Sequence, residues 1–164
     1  QLLEPVVVKA VNDQYDMDFE LFEAKRDEKA FYILEDVGMG ATPDAQSNST
    51  NILLECKTTG YNNLLNWSVI PNLQYVIQLY VQMMCVDCPN GWLACLGTDL
   101  TQTEQKLNLP LRTIRVLRDP EIDAIINGEV ARFWKSIHDQ KSFRVNRVLS
   151  AELEWRLLFN YTKA

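Results

Sequence analysis

Residues 71–87, PNLQYVIQLYVQMMCVD, carry the clearest helical pattern in the chain. Pro71 suits a helix start, where a missing amide proton costs nothing. Leu73, Val76, Ile77, Tyr80, Val81 and Met84 recur at helical spacing and make one apolar face. Before this helix, residues 51–58, NILLECKT, form a short apolar strand with charges only at its end. After it, a Pro89-Asn90-Gly91 turn leads into GWLACLG and RTIRVLR, two more strands joined by a polar loop around 99–108. Strand, helix, strand and strand in this order predict an α/β layered fold.

The flanks extend the pattern. Residues 1–14, QLLEPVVVKAVNDQ, read as a helix that begins or bends at Pro5. DFELFEA (18–24) and AFYILED (30–36) read as strands of a hairpin whose charged turn is KRDEK. Gly38 and Gly40 permit a sharp turn before Asp44. Asp119-Pro120-Glu121 opens a long helix over 120–138, with acids early and Lys135 late to suit its dipole. SAELEWRLLFNY, residues 150–161, predicts a last helix in the tail. The four tryptophans and the Met83-Met84 pair are expected in the core. The 164 residues suit one domain and show no repeat or linker.

Two features bound the class of partner. No apolar run approaches the ~20 residues that span a bilayer, so no membrane partner is expected. The net charge of −6 excludes a uniformly basic coat but allows a local basic path for nucleic acid. Arg132, Lys135, His138, Lys141, Arg144 and Arg147 supply such a path, stepping by three. The series fits phosphate contacts and a solvated helix face equally well. The chain opens inside an expected helix without a signal-peptide pattern, as a piece of a longer protein would. Four cysteines and three Asn-x-Ser/Thr patterns keep a second class open, a secreted, disulfide-bonded glycoprotein. Cys85, Cys88 and Cys95 also have the spacing of a metal clip, although small buried residues explain them better.

The charged end of the 51–58 strand is where chemistry can reside. Residues two apart on a strand share a side, so Glu55 and Lys57 point together. Cys56 points the other way, and only its carbonyl can reach their site. If residues 40–44 lie beside this strand, Asp44 meets them. Two carboxylates hold a hard divalent cation, and a lysine beside it serves the attacking water or the developing charge. Taken alone, Glu-x-Lys with an upstream Pro-Asp fits a surface ion pair and a turn aspartate better than a site.

Its context changes that balance. ATPDA, LLECKTT, Trp67, Ile70-Pro71 and the helix from Tyr75 to Gln78, in that order and spacing, resemble the core of the YqaJ-type viral recombinase family. That family includes the phage lambda exonuclease and belongs to the PD-(D/E)XK nuclease superfamily. LEPVVVKAV at the start and RDPEIDAIINGEVARFWKSI near the end resemble its first and closing helices. The resemblance implies an α/β nuclease core, a central mixed β-sheet flanked by helices, over residues 1–140, with 141–164 a helical extension of the same domain. It also implies an upstream segment, absent from these residues, that helps to recognise the DNA end.

The implied activity is Mg²⁺- or Mn²⁺-dependent hydrolysis of DNA, an exonuclease serving recombination or replication. A catalytically idle binding relative is the alternative within the same fold. Asp44 and Glu55 are the implied metal ligands, with Glu4 lining the site and the Cys56 carbonyl adding an oxygen. Lys57 is the implied partner of the attacking water, and Gln78 supports the lysine or a phosphate. Lys141, Arg144 and Arg147 are candidate DNA contacts. The implied partners are double-stranded DNA ends, a single-strand annealing protein and further copies in a ring. The implied location is intracellular, in a bacterial cytoplasm or in the nucleus or cytoplasm of a eukaryotic virus's host.

Overall fold

The computed structural model describes residues 3–22, 31–67, 71–98, 110–144, 147–159 and 161–163. Among these residues the helices α1 (Glu4–Tyr15), α2 (Tyr61–Asn66), α3 (Leu73–Val86), α4 (Pro120–His138) and α5 (Arg147–Phe159) pack with two sheets. The strands are β1 (Phe19–Leu21), β2 (Tyr32–Leu34), β3 (Met39–Ala41), β4 (Ala45–Ser47), β5 (Ile52–Thr59), β6 (Asn90–Gly97), β7 (Leu111–Leu117) and β8 (Tyr161–Lys163). The main sheet runs β1-β4-β5-β6-β7-β8, and β2 and β3 form a separate ribbon. Among the described residues only β5 and β6 pair in parallel, joined through α2 and α3, so the sheet is mixed.

The apolar continuity of β5 follows from its place. Leu53 faces a core built with α3, where Leu79, Tyr80 and Met83 are fully buried. Leu54 and Cys56 face a second core built on Val7, Val8 and Val11 of α1. A strand covered on both faces needs apolar side chains on both. Gly91 on β6 lets α3 approach closely, since an added Cβ there would lie 2.7 Å from Leu79 Cδ1.

The expected helices form with small shifts. α1 starts at Glu4, with Pro5 in its first turn. α3 starts after Asn72, whose side chain accepts from the Gln74 amide, so Pro71 precedes the cap. Asp119 caps α4 in the same way through the Glu121 amide. The tail holds α5 and, beyond the expected helix, the edge strand β8, which pairs with β7.

The hairpin expectation fails. β1 and β2 belong to different sheets: β1 pairs with β4, and β2 pairs with β3. The turn over residues 35–38 decides this. It ends in Gly38 at φ +74°, a conformation glycine adopts without strain. KRDEK offers no such residue, and it lies outside the described residues. The same Gly38 carbonyl accepts a hydrogen bond of 3.1 Å from the Trp134 indole. Trp134 nevertheless remains 48% exposed beside exposed Phe133 and Ile137, so it is not a core residue. Among the described residues no helix is long and apolar enough to cross a membrane.

Candidate active site

The antiparallel register of β4 and β5 builds the site. Ala45 pairs with Leu54 and Gln46 with Leu53, so the next step places Asp44 beside Glu55. The Cys56 amide donates to Asp44 Oδ2 at 2.8 Å, tying the aspartate to the neighbouring strand. Glu55 and Lys57 share the face of β5 that looks at α3. The Glu55 side chain is fully buried, and the Lys57 ammonium contacts its Oε1. That ammonium also donates to Gln78 Oε1 at 3.1 Å and lies 4.8 Å from the Tyr75 ring centroid. A carboxylate, an amide oxygen and an aromatic face thus hold one cation on three sides.

Burial pushes the Asp44 carboxyl up to about 7, helped by the charges of Glu55 and Glu4 and opposed by the Cys56 amide and Lys57. Glu4, half-buried at the start of α1, therefore acts on the same site. Among the described residues no three His, Cys, Asp or Glu side chains make a ready-made metal cage. A Mg²⁺ site does not need one. It uses one or two carboxylates and completes its shell with water and substrate phosphate. Asp44 and Glu55, a crowded pair of oxygen ligands with excess negative charge, fit that demand.

Gln82, one turn beyond Gln78 on α3, was not anticipated. Its amide donates to Glu55 Oε2 at 2.6 Å and to the Thr42 carbonyl at 3.3 Å. The signal was present in the sequence: a glutamine four residues after Gln78, set in an otherwise apolar run, belongs to the same helical face.

The other candidates lie elsewhere. Cys56 points away from the carboxylates, into the α1 core, and burial raises its thiol pKa. All four cysteines are free, so no two of them are bridged to each other. Burial lifts Cys88 to about 11 and Cys95 to about 12, so neither is a thiolate near neutrality. With no three-ligand group among the described residues, the cysteine clip does not form either. Lys141 and Arg144 are exposed beyond the end of α4, and the side chain of Arg147 lies outside the described residues. The basic series is not one helical stripe. Gln140, at φ +53°, breaks the helix, and Asp139 gathers Lys135, His138 and Lys141 within 4 Å.

No known family profile matches the chain, and no curated protein does. Solved structures do. The alkaline exonuclease LHK-Exo of Laribacter hongkongensis superposes with a TM-score of 0.65 at 20% identity, over 94% of this chain and 69% of that one. Its complex with dAMP gives 0.64 at 20% identity, over 94% and 68%. A phage-related exonuclease of Haemophilus somnus gives 0.64 at 14% identity, over 86% and 71%. The chain therefore has the fold of these exonucleases, a central mixed sheet flanked by helices, as its sequence resemblance implied.

Proposed function

We propose that the chain is a divalent-metal-dependent deoxyribonuclease that digests duplex DNA from its ends. The observation that carries this reading is the convergence of Asp44, Glu55, Lys57 and Gln78 at one end of β5. Asp44 and Glu55 would hold a Mg²⁺ or Mn²⁺ ion, with Glu4 and the Cys56 carbonyl as further oxygens. The chemistry supplied by an ion held there would be neutralisation of the phosphate and a lowered pKa for a bound water molecule. Lys57, held by Glu55 and Gln78, positions the attacking water and stabilises negative charge on the phosphate oxygens. The match in fold to an alkaline exonuclease and a phage-related exonuclease supports attack at ends. A role in recombination or replication, with an annealing protein as partner, follows from the sequence resemblance. A closed ring of copies would keep DNA engaged between cuts.

The test compares end-labelled linear duplex with covalently closed circular duplex, in Mg²⁺, Mn²⁺, Ca²⁺ or chelator. The linear molecule is digested in Mg²⁺ or Mn²⁺ and spared in chelator, and the circle stays intact. A circle cut as fast as the linear molecule replaces the exonuclease with an endonuclease. Digestion in chelator removes the metal requirement.

A further inference from the structure

Gln82 is 2% exposed, a buried residue of α3 whose side chain meets Glu55 of β5. Its partners, the Glu55 carboxylate and the Thr42 carbonyl, are both acceptors, so the amide nitrogen must face both. Its own Oε1 is buried and has no hydrogen-bond partner among the described residues. An orphaned buried acceptor is a cost to the fold that calls for a reason. Packing gives none: a methionine would fill a similar volume without an orphaned polar atom of its own. The gain therefore lies in what the nitrogen holds. Glu55 is gripped at Oε1 by Lys57 and at Oε2 by Gln82, while Thr42 lies two residues before Asp44. One neutral amide thus links the carboxylate on β5 to the segment that carries the carboxylate on the neighbouring strand.

We propose that Gln82 is a positioning residue that sets the orientation of Glu55 and its spacing from Asp44 for a divalent cation. This rests on the nuclease reading of the same site. Groups that orient metal ligands typically change metal affinity or activity 10- to 100-fold when removed, about the size expected here.

The experiment measures Mn²⁺ affinity by calorimetry, melting temperature with chelator, and kcat and KM on linear duplex, for wild type and Gln82→Met. Gln82→Met is expected to melt below wild type, because the loss of the amide leaves the buried Glu55 Oε2 unpaired. Its Mn²⁺ affinity and kcat should fall about 10- to 100-fold, with KM for DNA little changed. In a Glu55→Gln background the same substitution should add little, because the two act through one contact. Wild-type Mn²⁺ affinity and kcat in Gln82→Met overturn the proposal, as does a full loss that persists in the Glu55→Gln background. If Gln82→Met does not fold, Gln82→Asn takes its place; it keeps the amide but withdraws it by one methylene. Asn-variant behaviour equal to wild type then overturns the proposal, and the affinity loss supports it. A wild-type protein that neither binds Mn²⁺ nor cuts DNA marks failure of the nuclease reading instead, whatever the variants do.

Discussion

Lys57 and Asp44 carry opposite kinds of burden. Lys57 is held by groups already in place, and its proposed work is done in the transition state rather than in binding. Lys57→Ala should therefore abolish cleavage of end-labelled duplex while DNA retention in a gel-shift assay persists. Activity within a few-fold of wild type would remove the lysine from the mechanism. Asp44 is burdened in the metal-free protein itself. Its folded pKa of about 7 exceeds the ordinary aspartate value of 3.8, so the folded state keeps a proton that the unfolded chain releases. The stability this provides is complete below about pH 4 and is lost as pH rises through about 7. Urea melts in chelator should show that loss between pH 5 and pH 7.5, and Asp44→Asn should abolish it. Across the same interval Mn²⁺ affinity should climb in the wild type, because the ligand is the deprotonated form. Asp44→Asn and Glu55→Gln should each weaken Mn²⁺ in a calorimetric titration, and unchanged affinity in both would place the metal elsewhere.

The elements differ in how openly their sequences declare them. β5, α3, β6, β7 and α4 have strong periodicity or clean caps, and each forms within a residue or two of expectation. The pairing of Glu55 with Lys57 was legible because strand period alone puts them on one side. Its depth was not: full burial of Glu55 depends on α3 packing across β5, a contact between residues far apart in the chain. The partners of β1 and β2 were illegible for a similar reason, since Gly38 turns β2 onto β3 and leaves β1 to β4. Gln82 shares the helical face of Gln78 in the sequence, but its role depends on the packing of α3 against Glu55. The basic stretch after α4 shows the limit of reading charge from spacing, since Asp139 offsets part of it. Neutralising Lys141, Arg144 and Arg147 together should still lower DNA affinity and flatten its salt dependence by about 0.9 in log–log slope per lost phosphate contact. An unchanged slope in fluorescence titrations would return these residues to ordinary solvated surface.

Across the whole molecule, β5 divides two hydrophobic cores and pairs on both edges, with β4 and with β6. The interior strand of a sheet opens only in the largest unfolding events, so its amides exchange with solvent most slowly. Asp44 is fastened to that strand through the Cys56 amide. This single proton belongs both to the most protected part of the fold and to the carboxylate on which the proposed chemistry depends. In a nitrogen–proton correlation spectrum, the Cys56 resonance should persist for long times in deuterated water and should still move when Asp44 gains a proton or meets a cation. The molecule carries, inside its own sheet, an indicator for its candidate active site.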